Sequence, residues 1–106
     1  MAEEFEIGQG DYGRVFRGII KNENHSDCTG VINVWNKERT ALLINAGACS
    51  VSFVDPDTYI EYTVKQGDFD VEVGTYYGNF VLSKAGFVEH TLKCTVTVFE
   101  IEPTIP

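Results

Sequence analysis

The chain predicts an all-β fold, an antiparallel β-sandwich of about seven strands. Three observations carry this expectation. Short runs rich in β-branched and aromatic residues recur about every ten residues, broken by Gly, Pro, Asn and Asp. Within the clearest runs, apolar and polar residues alternate with the two-residue period of a half-buried strand. No long stretch carries the helical period, and no internal repeat is visible.

Taken in order, Met1–Tyr12 reads as an acidic N-terminal arm, with Gly8, Gly10 and Asp11 ahead of the first strand. Arg14–Lys21 is rich in β-formers, and Gly18 within it marks a bulge or a close backbone approach. Asn22–Gly30 is a turn-rich loop, and Val31–Trp35 is the second strand. A polar turn follows, then Thr40–Ile44 as a short third strand. A turn at Asn45–Gly47 leads to Cys49–Val54, where Cys49, Val51 and Phe53 share a face. Asp55-Pro56-Asp57 is a turn, because Pro presets φ and Asp side chains cap local N–H groups. Thr58–Val64 follows, with Ile60, Tyr62 and Val64 inward.

Lys65–Val73 is a longer acidic link with room for a helical turn. From Thr75 to Ser83, the residues Tyr76, Gly78, Phe80 and Leu82 face inward and Tyr77 and Val81 outward. Lys84-Ala85-Gly86 closes a hairpin. The last strand, within Val88–Phe99, points Leu92, Cys94, Val96 and Val98 inward. Residues 101–106 form a tail punctuated by Pro103 and Pro106, which lack N–H donors. The domain proper is thus 13–100, between an arm at 1–12 and a tail. Its architecture is immunoglobulin-like, without the Cys…Trp…Cys spacing of antibody domains: Trp35 precedes Cys49.

A chain of 106 residues is about one domain. It buries roughly 65% of its unfolded surface, enough for one core. The longest apolar runs fall far short of the ~20 residues of a spanning helix. The acidic N-terminus lacks the apolar segment of a signal peptide. A net charge of −8, with eight scattered Lys and Arg, argues against nucleic acid as a partner. No membrane association is expected. Three cysteines without paired spacing argue against a disulfide framework. Cys49 and Cys94 read as buried small hydrophobes, and Cys28 sits in the polar loop.

The search for chemistry leaves no catalytic residue, no cofactor and no metal site. Asp55, Asp57, Asp68, Asp70 and Glu72 have suggestive D-x-D spacing for calcium, but the EF-hand pattern is missing, and turn-capping and solvated carboxylates are the better reading. His25 and His90 lack the spacing of zinc ligands. A Cys28–His pair lacks any motif for an oxyanion hole or an orienting partner. Gly8–Gly13 resembles half of a phosphate loop but precedes a strand, so no helix N-terminus backs it. Among the aromatics, Trp35, Tyr59 and Tyr77 are candidate surface contacts. Aromatic residues on a surface favour protein interfaces over sugar stacking.

From Gly10 to Val98 the chain resembles the immunoglobulin-like N-terminal domain of phage baseplate upper proteins and related virion surface proteins of tailed phages. The residues that carry the resemblance are Gly10-Asp11, Thr29-Gly30 before Val31–Trp35, Asp55-Pro56-Asp57 with inward Tyr62, the acidic link Gln66–Val73, Gly74-Thr75-Tyr76 and the hairpin Lys84–Gly86. The loop Asn22–Asp27 departs from the family's polar-Gly turn. The resemblance implies a non-enzymatic structural protein of a tailed virus particle, a baseplate or tail component or a capsid decoration. Such a protein would be made in the host cytoplasm and located in the virion. Its partners would be other virion proteins, in a homo-oligomer or symmetric assembly. Phe5, Ile7, Ile101 and Ile105 on the two terminal segments, with Trp35, Tyr59 and Tyr77, are the expected partner contacts. The alternative is a carbohydrate-binding or adhesion module built on the surface aromatics.

Overall fold

The computed structural model describes residues 3–100. Seven strands follow one another: β1 (Glu3–Gly8), β2 (Val15–Ile20), β3 (Thr29–Trp35), β4 (Leu42–Val54), β5 (Asp57–Thr63), β6 (Gly74–Lys84) and β7 (Phe87–Phe99). No helix occurs among the described residues, the Lys65–Val73 link included.

The hydrogen-bonded order is β1-β7-β6-β3-β4-β5-β2. This ribbon folds over along β4. The first half of β4 pairs with β3, through Ala48↔Val31 and Cys49↔Gly30, and the second half pairs with β5, through Ser50↔Glu61 to Val54↔Asp57. One sheet is therefore β1-β7-β6-β3-β4 and the other β4-β5-β2. In antibody lettering the second sheet is D-E-B and the first contains C′-C-F-G, with β1 added parallel to G. The protein is an immunoglobulin-like β-sandwich.

The turn expected at Asn45–Gly47 is instead a bulge in one continuous strand. Between Ile32↔Gly47 and Val34↔Ile44, β3 advances two residues and β4 three. Ala46 takes up the extra residue at φ 52°, and its N–H donates to Asn33 Oδ1 at 2.9 Å. A bulge adds local twist without reversing the chain. That twist lets β4 leave one sheet and enter the other.

The expected arm is also corrected. Residues Glu3–Gly8 are a strand, parallel to β7 in the register Glu3↔Cys94 to Gly8↔Phe99. Ile7 is a core residue at 1% exposure. Phe5 packs against the core, its ring stacked on Phe16 at 4.6 Å and edge-on to Phe80 at 6.0 Å. The alternation Phe5, Ile7 against Glu4, Glu6 is a half-buried strand pattern. Ile7 is thereby closed to the partner contact expected from the sequence, and Phe5 is partly buried.

The inward phase of β5, β6 and β7 matches the sequence reading: Ile60, Tyr62, Val64, Tyr76, Phe80, Leu82, Cys94, Val96 and Val98 are buried. Val51 and Leu92 are partly buried against the core, and Phe53 is half-buried. Gly18 is a close-approach point, as a Cβ there would lie 2.7 Å from Leu92 and 3.2 Å from Phe80 on the facing sheet. Phe69, from the Lys65–Val73 link, is fully buried and tilts against Phe16 at 5.8 Å. Two tyrosine hydroxyls hold that link, one from each sheet. Tyr62 donates to the Asp68 carboxylate, which also accepts Lys65 N–H at 2.9 Å. Tyr76 donates to the Glu72 carbonyl at 2.6 Å.

The Tyr76 bond is a tyrosine corner: a Tyr at the start of strand F whose hydroxyl reaches back a few residues to the backbone. Two residues on, where antibody domains carry the second disulfide cysteine, stands Gly78. A Cβ at Gly78 would lie 2.3 Å from the Asn33 carbonyl oxygen, so only glycine fits against β3 as it stands. The three cysteines are free.

Candidate partner interface

Of the residues expected to contact partners, the structure brings two together on one surface. Trp35 ends β3 and Tyr77 lies on β6, both on the outer face of the five-stranded sheet. They line a shallow groove of about 490 Å³ with Arg39, Asn79, Lys93 and Thr95. Trp35 is half-buried and Tyr77 is 47% exposed. The inward positions of β3 go to Ile32 and Val34, so Trp35 does not take the place of the buried tryptophan of antibody domains.

Arg39 joins this face because of its loop. Asn36 accepts hydrogen bonds from Thr40 N–H at 2.9 Å and Ala41 N–H at 3.4 Å through Oδ1, and it donates to Thr40 Oγ1 through its side-chain amide at 3.1 Å. The turn so fixed holds Arg39 at φ 57° with its N–H on the Asn36 carbonyl at 3.0 Å. Its guanidinium then lies over the Tyr77 ring, 4.2 Å from the centroid. Cation–π contact of this kind stabilises an exposed site by about 0.5–1 kcal/mol. The sequence reading missed Arg39, because its polar turn gave no sign of where the guanidinium would lie.

Tyr59 sits apart, half-buried on the outer face of the other sheet. Arg17, which is ion-paired to Glu61 at 2.8 Å, holds its guanidinium 5.2 Å from the Tyr59 centroid. Ile101 and Ile105 lie outside the described residues.

Among the described residues, the most exposed large apolar side chains are at the β6–β7 hairpin tip: Phe87 at 73% and Val88 at 65% exposure. The turn Ala85-Gly86 takes φ of 53° and 83°, the two positive values of a primed two-residue hairpin turn. Sequence reasoning located the hairpin but not the apolar pair behind it, although two large apolar residues directly after a tight turn were a usable signal.

The same end of the sandwich gathers titratable groups. His25 Nε2 and Glu23 Oε1 are 2.8 Å apart, and the His25 and His90 rings are 5.6 Å apart between centroids. Cys28 Sγ is 4.0 Å from His25 Nδ1, and Lys84 bridges to Asp27. The Cys28 thiol is pushed up, first by burial and then by the Asp27 and Glu89 charges, which does not suit a nucleophile. Cys49 and Cys94 are pushed up to about 12 by burial, aided at Cys49 by Cys94 and at Cys94 by Glu3. Of the carboxylates weighed for calcium, Asp57 caps Asn22 N–H at 3.0 Å and Asp68 caps Lys65.

No protein-family model matches the chain, and no curated protein matches it significantly. Solved structures do match. The M1 domain of titin is 14% identical at a TM-score of 0.36, covering 94% of this chain and 92% of the domain. The natural cytotoxicity receptor Nkp44 is 8% identical at a TM-score of 0.42, covering 93% and 99%. The twitchin kinase region of C. elegans is 12% identical at a TM-score of 0.36, covering 92% of this chain and 15% of that one. Likenesses at this level are weak, and the fold assignment rests on the strand order.

Proposed function

We propose that the protein is a non-enzymatic assembly module of a tailed virus particle, engaging other virion proteins through the outer face of the five-stranded sheet. The carrying observation is the Trp35–Arg39–Tyr77 groove. Trp, Arg and Tyr are the residue types enriched at interface hot spots, and here they meet around one partly desolvated hollow. The sequence resemblance to phage baseplate and virion surface domains supplies the class of partner. The tyrosine-fixed core supplies a rigid scaffold, which lowers the ordering cost of docking.

A carbohydrate-binding module is the alternative that an aromatic groove suggests. Arg39 weighs against it, because its guanidinium covers a Tyr77 face that a sugar would stack on. Two measurements decide. The Trp35→Ala/Tyr77→Ala variant, folded by circular dichroism, should be lost from purified particles that retain the wild-type protein, as read by mass spectrometry. Normal incorporation, or absence of the wild-type protein from particles, refutes the proposal. Trp35 is the sole tryptophan, so its fluorescence reports on the groove. Saturable quenching by oligosaccharides, with incorporation unaffected, would establish the adhesion reading instead.

A further inference from the structure

The geometry points to a divalent transition-metal site, of the zinc class, formed by Glu23, His25 and His90. One ligand atom from each of the three residues lies within 4.8 Å of the other two. A tetrahedral ion with bonds of about 2.0–2.1 Å sets its ligands roughly 3.4 Å apart, so small side-chain rotations close the set. Two imidazoles and one carboxylate are a recognised zinc donor set that leaves a fourth position for water or a further ligand. Nitrogen donors do not suit calcium or magnesium, whose ligands are oxygens.

The cluster is built and not a chance meeting of surface chains. Thr58, fully buried, accepts the His25 N–H on its hydroxyl at 2.9 Å and donates that hydroxyl to the Glu23 carbonyl at 2.6 Å. One side chain of β5 thus fixes the backbone of both loop ligands. Asp57 Oδ1 holds Asn22 N–H at 3.0 Å just upstream, and Cys28 N–H closes onto the His25 carbonyl at 2.9 Å just downstream. Asn24 Oδ1 accepts Ser26 N–H at 3.0 Å. His90 comes from β7, where it pairs with Leu82 of β6. The His25 side chain is only 16% exposed. Cys28 lies on the opposite ring nitrogen of His25 and outside the ligand set. Nearby Lys84 is ion-paired to Asp27, which offsets its repulsion of a cation. A bound ion would tie the β2–β3 loop to the base of the hairpin that carries Phe87 and Val88.

Isothermal titration of the metal-free protein with Zn²⁺ alone should show uptake of one ion per chain in the micromolar range or tighter, with a chelator-reversible rise in melting temperature. His25→Ala, His90→Ala and Glu23→Gln should each weaken uptake at least tenfold while leaving the metal-free melting temperature near that of wild type. Thr58→Val should weaken it several-fold to tenfold at unchanged stoichiometry, as for other residues that position ligands. Co²⁺ loading should give four-coordinate visible bands without a thiolate charge-transfer band, and Ca²⁺ should give no uptake. The proposal is overturned by wild type that takes up no Zn²⁺, by His90→Ala that binds as tightly as wild type, by a cobalt–thiolate band, or by Ca²⁺ uptake matching Zn²⁺. The test uses the isolated protein and an ion, so its outcome is independent of the assembly role.

Discussion

Tyr76 offers a test that separates packing from hydrogen bonding at the corner that starts β6. Its side chain is 3% exposed, and its hydroxyl donates to the Glu72 carbonyl at 2.6 Å. Tyr76→Phe removes that bond and little else. A net intramolecular hydrogen bond stabilises by about 0.5–1.5 kcal/mol. The stranded partner is the carbonyl of an exposed residue, which water can reach, so the larger penalty for a buried orphan does not apply. The expected loss is about 1 kcal/mol. Tyr76→Ala also removes the ring from between the sheets, and truncating a buried aromatic costs about 3–5 kcal/mol. In urea, with a slope of about 1–3 kcal/mol/M, the Phe variant should lower the midpoint by roughly 0.3–1 M and the Ala variant by several times that. Both variants should keep the wild-type slope. A Tyr76→Phe midpoint equal to wild type would show that the corner bond contributes nothing net. A Tyr76→Ala loss below about 2 kcal/mol would show that the ring is not packed as described.

Ile7→Ala should destabilise by about 2–5 kcal/mol in the same assay, because Ile7 is a core residue of β1. Deleting residues 1–8 should strip the β7 edge and unfold the domain, where a dispensable arm would leave melting unchanged. Ala85→Asn should stabilise by about 0.5–1 kcal/mol, since Asn tolerates the positive φ of the hairpin turn better than Ala; an unchanged or lower melting temperature counts against that turn geometry. Alkali should destabilise the fold through Cys49 and Cys94. Their folded pKa values, about 12, lie above the unfolded value. The stability they contribute is therefore full below about pH 8.5 and is lost as pH rises toward 12, at up to about 1.4 kcal/mol per pH unit for the buried Cys94 and less for the partly exposed Cys49, whose charge water screens. Cys49→Ala should flatten that slope, and denaturation midpoints flat from pH 8.5 to 11 in the wild type would contradict it.

The strands with strict alternation were legible because a period of two leaves one solution: Tyr76, Phe80 and Leu82 in, Tyr77 out. The expected count of seven also stands, but through two compensating differences. Thr40–Ile44 and Cys49–Val54 are one strand, since Asn45-Ala46-Gly47 looks like a turn whether it reverses the chain or only bulges it. What decides is Asn33 Oδ1 accepting Ala46 N–H, a contact thirteen residues away. Residues 3–8 became the seventh strand, because three glutamates hid the alternation of Phe5 and Ile7. Their place depends on the β7 edge, which local sequence cannot reveal. Phe69 was similarly hidden, as one apolar residue in an acidic link, and only the closed sandwich shows the hole it fills.

The sites follow the same rule. Trp35 and Tyr77 were visible one by one as outward aromatics, yet their meeting required the β3–β6 register, and Arg39 required the Asn36 turn. Glu23, His25 and His90 are the extreme case. Metal motifs are recognised by spacing when ligands share one turn or one helix face, but here sixty-five positions separate the two histidines. What joins them is topology: strands C, F and G lie side by side in this sandwich, so the loop that enters β3 faces the start of β7. The antibody fold uses that same end, where the B–C and F–G loops meet, for recognition. In this protein the end carries an anchored loop, two half-buried histidines and the exposed Phe87 and Val88 on a short hairpin. It therefore combines a means of fixing loop geometry with an apolar tip whose position that geometry controls.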